Sequence, residues 1–182
     1  VPLMIHYPER FPAKRVQTNI STRRIFHTVL DIADVKPPLA SDDPNADVEN
    51  LSLVRATNGR PDREGGIVFS EAIPPTTFLH VLEHRTPYHI DELKLTQTRR
   101  GIYDGNHKLA IVGDTIEGLF DVVNDPTEQH DITSTQDELA ATLQSKVSEF
   151  VTQTTEQRAD QLHKGEISED VADNLRQLGY FE

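Results

Sequence analysis

The chain has no cysteine, no tryptophan and a single methionine in 182 residues. Without cysteine there is no disulfide, no thiolate nucleophile and no Cys-based zinc site, and the redox compartment is left open. Long apolar runs are also missing, and nothing approaches the ~20 residues that span a bilayer. The opening VPLMIHYPERFP has neither a basic n-region nor a small-residue cleavage site, so it does not read as a signal peptide, and localisation stays unassigned. Positive charge is scarce: six Lys and twelve Arg stand against 30 acidic residues, for a net charge of −12. That balance argues against nucleic acid or an anionic membrane as a partner. An acid excess with so little lysine fits a surface adapted to high salt, and fits an ordinary acidic surface equally well. The 36% apolar share is modest but sufficient for one core.

What is present organises itself along the chain. Leu3 and Ile5, with Met4 between them, read as a short buried strand over 1–7. STRRIFHTVLDIADV (21–35) reads as an amphipathic helix with Ser21 as its cap. Its apolar stripe is Ile25, Val29 and Ile32 with Phe26, Leu30 and Ala33, and Pro37-Pro38 follows as a stop. Residues 36–64, rich in Asp, Asn and Pro, read as a surface loop with a small apolar interruption at Leu51 to Val54. GGIVFSEA (65–72) is a strand, and PPTTFLHVLEH a short helix started by the prolines. Residues 94–123 hold three strands, turning at Asp104-Gly105-Asn106 and near Gly113-Asp114 as an antiparallel meander. A long helix is expected over about 134–160. It is capped by Ser134 or Thr135, with Asp137 and Glu138 in its first turn and Leu139, Leu143, Val147, Phe150 and Val151 as its apolar stripe. A last helix is expected at about 168–178, ending at Gly179.

The stretch GLFDVVNDPTEQHDI (118–132) ends a strand by turn chemistry, because Pro126 pushes Asp125 out of helical space. It also resembles a segment of the sulfatase family, E-L-Y-D-L-x-x-D-P-x-E-x-x-N-L, through Leu119, Phe120, Asp121, Val122, Asp125, Pro126, Glu128, Asp131 and Ile132, with Gly118 in place of Glu. Other stretches match in the same order. VPLMIHYPERFPAKR is similar to the family's V-P-L-I-I-x-x-P strand. STRRIFHTVLDIADV is similar to S-x-x-D-L-x-P-T-L-L-D-L-A-G-V, with Arg24 for Asp, His27 for Pro and Asp34 for Gly. NHKLAI is similar to the Y-K-Y/L-I strand around Lys108, and NLRQLGYFE to the closing L-R-x-L-G-Y.

The resemblance implies an α+β chain. Residues 1–60 would be a strand-helix remnant of the large sulfatase α/β domain with its linker. Residues 61–182 would be the C-terminal subdomain, an about four-stranded antiparallel sheet packed by the long helix. The parent would hydrolyse a sulfate ester, using formylglycine and Ca²⁺ or Mg²⁺, and the partner of this chain would be the catalytic N-terminal sulfatase domain. Neither the formylglycine motif, C-x-P-x-R or S-x-P-x-R, nor the family's Asp-Asp and Asp-Asn/His metal pairs is here. The resemblance therefore implies no catalytic residue and no metal ligand in this chain, and no activity by itself. Two alternatives stand beside it: a free-standing, non-catalytic interaction domain derived from such an enzyme, and the C-terminal part of a related phosphoester hydrolase.

Rival chemistry is thin. HVLEH, His80 to His84, has the H-x-x-E-H spacing that sets two His and Glu83 along one helical face, as a zinc peptidase needs, yet no second motif supplies a third ligand. His84, His89 and His107 could edge a substrate cleft, and read more simply as solvated loop histidines. Arg99 and Arg100 could meet an anionic substrate, and read more simply as alternating strand residues, one paired and one in solvent. Asp121, Asp125 and Glu128 gather carboxylates without EF-hand spacing, and fit a turn-and-cap role better than a Ca²⁺ site. Lys108 reads as one half of an ion pair.

Overall fold

A computed structural model describes residues 2–37, 46–60, 63–85 and 87–164. The helix expected at 168–178 and the closing LRQLGY stretch lie outside these residues. The chain forms two compact units, Val1–Gln144 and Ser145–Glu182.

Four strands build the sheet of the first unit: β1 (Val68–Ala72), β2 (Arg99–Asp104), β3 (His107–Val112) and β4 (Thr115–Asp121). They pair antiparallel in sequence order. Gly105 and Gly113, both at φ 58°, take the left-handed positions in the two tight turns, a conformation that glycine adopts without a Cβ penalty. Register explains the core. Phe69, Ile102, Leu109 and Leu119 lie opposite one another across the four strands. The last three of these are completely buried, so one row of side chains supplies the centre of the apolar layer. The next row, Val68, Tyr103, Lys108 and Phe120, points to the other face. A bulge at Glu117 lets β4 bend where it passes Ala110 and Ile111.

Helices surround the sheet in the chain. α1 (Arg24–Ala33) is followed by the short α2 (Val48–Leu51) and α3 (Leu53–Thr57). α4 (Thr76–Arg85) and α5 (Pro87–Glu92) connect β1 to β2, and α6 (Asp137–Lys164) follows the sheet. Ala140 and Leu143, in the first two turns of α6, are buried within the sheet's unit. The architecture is α+β: a four-stranded antiparallel meander with helices, a long C-terminal one among them. Among the described residues no helix is long and apolar enough to cross a membrane.

Three expectations fail near the start of the chain, each for a physical reason. Residues 2–7 form no strand and are exposed, with Met4 at 93% of its full accessibility. A strand needs a neighbour to take its backbone hydrogen bonds, and the sheet here contains only residues from 68 onward. Residues 46–60 are not a surface loop: Leu51, Ser52 and Leu53 are buried, and α2 and α3 pack on α1. Ser21 does not cap α1 through its side chain. The helix starts at Arg24 with Arg23 in the cap position, and no side-chain hydrogen bond is made there.

α1 itself is turned unexpectedly. The residues it buries are Arg24, His27 and Thr28, whereas Phe26 is 55% and Val29 58% exposed. Arg24 is held because its guanidinium finds acceptors: Nε donates to the Leu51 carbonyl at 2.9 Å, Nη2 to the Ser52 carbonyl at 3.4 Å, and Nη1 lies 3.8 Å from the Glu64 carboxylate. Thr28 relays between backbones, donating to the Arg24 carbonyl at 2.7 Å and accepting from the Leu53 N–H at 2.9 Å. Buried polar groups survive only when so satisfied. The cost of folding α1 this way round is an apolar stripe facing outward.

Candidate functional site

The segment after β4 shows how its carboxylates are used. Asp121 ends the strand, accepting from the Val123 and Asn124 N–H groups at 3.1 Å each and from the Asn124 side-chain amide at 2.7 Å. The Asn124 amide and backbone N–H hold this carboxyl below its usual range. Burial pushes the Asp125 carboxyl up, but the His130 N–H at 2.7 Å and the Thr127 hydroxyl at 3.2 Å outweigh it, so the net shift is downward. Glu128 sits at φ 55° and places both carboxylate oxygens 2.7 Å from the Lys108 ammonium, which itself lies 5.7 Å from the centre of the Tyr103 ring. Asp131 accepts from the Leu119 N–H at 3.0 Å, from the Thr133 N–H at 2.9 Å and from the Thr133 hydroxyl. The Thr133 contacts chiefly hold its carboxyl low.

These bonds have one joint effect. The Ile132 N–H donates to the Leu119 carbonyl at 2.9 Å while Asp131 takes the Leu119 N–H, so the open edge of β4 is closed by the chain's own next segment. The carboxylates are engaged as acceptors of N–H and O–H groups, which is a turn-and-cap role. Lone pairs aimed at backbone amides are poorly placed for a hard cation, so Ca²⁺ or Mg²⁺ does not fit this segment. Among the described residues no group of three His, Asp or Glu side chains could hold a metal.

The cleft candidates do not converge. Arg99 and Arg100 lie at the start of β2, paired with Val112 and Ile111, whereas His107 faces Asp104 at the far end of the same ladder. A six-residue strand separates those ends by roughly 17 Å. Arg99 and Arg100 also point to opposite faces, and both are paired, which corrects the expectation that one stays in solvent. Arg99 makes two hydrogen bonds to Glu117 at 2.8 and 2.9 Å and one to the Leu93 carbonyl, while Arg100 meets Glu71 at 2.8 Å. His84 closes α4 and is exposed. His89 is exposed on α5, 3.6 Å from Glu92. In HVLEH, His80 is largely exposed and leans 3.7 Å from Glu83, and the string occupies a helix whose buried residue is Leu79.

Two clefts among the described residues of the first unit bear on these side chains. The smaller, about 190 Å³, is lined by Arg99, Lys94, Glu92 and Glu117, with Val112 and Ile116 beside them. The larger, about 670 Å³, lies between residues 8–12, α1 and the α2–α3 pair. It carries Arg10, Arg55 and Arg60 against Glu9, Asp31 and Glu49. Sequence reasoning missed it because residues 36–64 read as a loop. The available signal was Arg55, a cation placed directly after the apolar Leu53 and Val54.

No family model matches the chain, and no curated protein matches it. The remaining surface of note is apolar: Leu3, Met4, Ile5 and Tyr7 are exposed, as are Ile25, Phe26 and Val29 on α1. Isolated apolar side chains on a surface are ordinary. Exposed apolar side chains also occur elsewhere, with Phe78 and Val81 on α4 and Ile73 and Leu93 flanking the α4–α5 connection.

Proposed function

We propose that this chain is the C-terminal part of a sulfatase-like sulfuric ester hydrolase, with a structural role: it docks on a catalytic α/β domain and performs no turnover by itself. One observation carries the reading. α1 buries Arg24, His27 and Thr28 and leaves Phe26 and Val29 outside, and it follows an exposed apolar segment, residues 2–7, that forms no strand pairing among the described residues. An exposed apolar segment followed by a helix with an outward apolar stripe is what a parallel α/β sheet accepts at its edge, the segment as a strand in the sheet and the helix onto its face. The order of the sequence stretches similar to sulfatases supports the identity of that sheet.

Sulfate-ester cleavage needs a nucleophile, a hard cation and cationic groups around the sulfate. The carboxylates after β4 are taken by amides, so the formylglycine and the Ca²⁺ or Mg²⁺ belong to the partner domain in this reading. The sheet favours a second reading, a stand-alone interaction domain, since it buries its own core and its β4 edge is bonded at Leu119 by residues 131–132. The coding DNA ahead of the Val1 codon decides between them. An in-frame C-x-P-x-R or S-x-P-x-R several hundred codons upstream, with arylsulfate hydrolysis by the longer product, is expected. A start codon directly at Val1 would sink the proposal.

A further inference from the structure

Helix α4 supports an inference that does not rest on the sulfatase reading. Its segment HVLEH sets His80 and His84 four residues apart, so their Cβ atoms lie about 5–6 Å from each other on one side of the helix. Leu79 is the residue that α4 buries. At 3.6 residues per turn, His80 and His84 stand roughly 100–140° around the helix from it. Both are exposed, the His80 side chain at 78%. Glu83 places a carboxylate oxygen 3.7 Å from His80 Nδ1. A carboxylate beside one ring nitrogen keeps the proton there and leaves Nε2 with its lone pair, as in many histidines that bind metals. His84 is the penultimate residue of α4, where the unpaired carbonyls of a helix end favour a cation.

We infer that His80 and His84 form a two-point chelate for a borderline divalent transition-metal ion, Zn²⁺ or Cu²⁺, on the surface of α4. Zn–N bonds of about 2.0–2.1 Å put two nitrogens of a tetrahedral ion roughly 3.4 Å apart, a gap that imidazoles one helical turn apart can close by side-chain rotation. Imidazole nitrogen selects these ions over Mg²⁺ and Ca²⁺, which take oxygen ligands. Among the described residues no group of three His, Asp or Glu side chains could hold a metal, so water fills the remaining positions and the ion exchanges readily. Glu83 orients His80 and is not itself a ligand. Arg85, next in the chain to His84, opposes the charge of the ion and limits affinity.

The test is a Zn²⁺ titration of the full chain at pH 7 in a non-chelating buffer, followed by NMR of the histidine ring signals. His80 and His84 should shift together along one saturating curve, with one ion per chain, while His6, His107 and His130 stay flat. Mg²⁺ at the same concentrations should move neither ring. His80→Ala and His84→Ala should each weaken binding roughly tenfold or more, because the chelate loses its second, intramolecular bond. Glu83→Gln should weaken it by a smaller factor, and His89→Ala should leave it unchanged. Equal, weak shifts at all histidines would reduce the effect to the affinity of single imidazoles and overturn the inference. So would binding that survives His84→Ala unchanged. All four substituted positions are exposed, and metal-free melts check that each variant folds. If one does not, the wild-type curve decides, since paired saturation at His80 and His84 alone localises the site.

Discussion

The sheet and the region before it solve the same problem in opposite ways. From β1 to Thr133, apolar side chains form one inward row, and the edge of β4 is closed by Asp131 and Ile132. Between residues 2 and 60 the buried positions include Arg24, His27, Thr28 and Ser52, and the outward ones include Met4, Phe26 and Val29. Both regions satisfy most of their buried polar groups, the Arg55 Nε being an exception among the described residues. The four strands also bury a central apolar row, although the segment between β1 and β2 leaves Ile73, Phe78, Val81 and Leu93 exposed. The difference teaches that hydrogen-bond satisfaction can hold a helix in place while hydrophobic burial is left undone.

The largest effect that would break this comparison is in the sheet. Leu109 is fully buried between Ile102 and Leu119, so Leu109→Ala should cost about 2–5 kcal/mol in urea unfolding. Phe26→Ser with Val29→Ser should change stability by about 0.5 kcal/mol or less, because both side chains are more than half exposed among the described residues. The same pair should reduce self-association in sedimentation runs. A loss at α1 as large as that at Leu109 would mean that the outward face is covered, and the comparison would collapse.

Next in size is Arg24. Its guanidinium spans two carbonyls and a carboxylate from a position 1% exposed, so Arg24→Met leaves several buried acceptors unmatched. A loss of about 3 kcal/mol is expected, and Arg24→Lys should recover little of it, since a single ammonium cannot reach the same fork of acceptors. Full recovery by Lys would show that charge alone matters there.

The legibility of the chain divides along the same line. The meander was readable because period-two apolar residues, Gly105 and Gly113 all point to one answer. The turn role of Asp121 and Asp125 was readable from Asn-Asp-Pro. The face that α1 buries was not, since its apolar stripe predicts burial of Ile25, Phe26 and Val29, and tertiary contacts from Leu51 to Leu53 and Glu64 selected Arg24 instead. The strand over 2–7 was misread for a related reason: alternation can mark a strand but cannot supply its neighbour. Of the candidate site, single residues were visible and their separation was not. Arg99 and His107 lie only eight positions apart in sequence, yet a hairpin sends them to opposite ends of one ladder.

A smaller effect sharpens the account of the closed edge. The Asp131 carboxyl is held low by Thr133 and the Leu119 N–H, so its contribution to stability is fully present above the unfolded value of about 3.9. It is lost as pH falls through the lower folded pKa. Asp131→Ala should cost about 1–2 kcal/mol at pH 7, a range already reduced for the side chain's exposure to solvent. Asp131→Asn should retain part of the bonding and flatten the loss of stability as pH falls below about 4. An unchanged acid limb in Asp131→Asn would assign that loss to other carboxylates.

The smallest effect lies at the end of α1 and separates local from tertiary causes. Asp34 closes the helix at φ 54°, with its N–H on the Asp31 and Leu30 carbonyls and the Val35 N–H on the Leu30 carbonyl. That left-handed position favours glycine, because a Cβ crowds the neighbouring carbonyl there. Asp34→Gly should therefore stabilise the chain by about 0.5–1 kcal/mol, the relief of strain being partly offset by the greater freedom of glycine when unfolded. Thermal melts of the two proteins at one protein concentration measure it. The gain depends on backbone conformation alone, so it should appear whether or not a partner covers Phe26 and Val29. A gain that appears only when a partner is bound would mean that α1 is not held in this conformation by its own contacts with Leu51, Ser52 and Leu53. The polar anchoring of Arg24 and Thr28 would then be a consequence of docking and not its preparation.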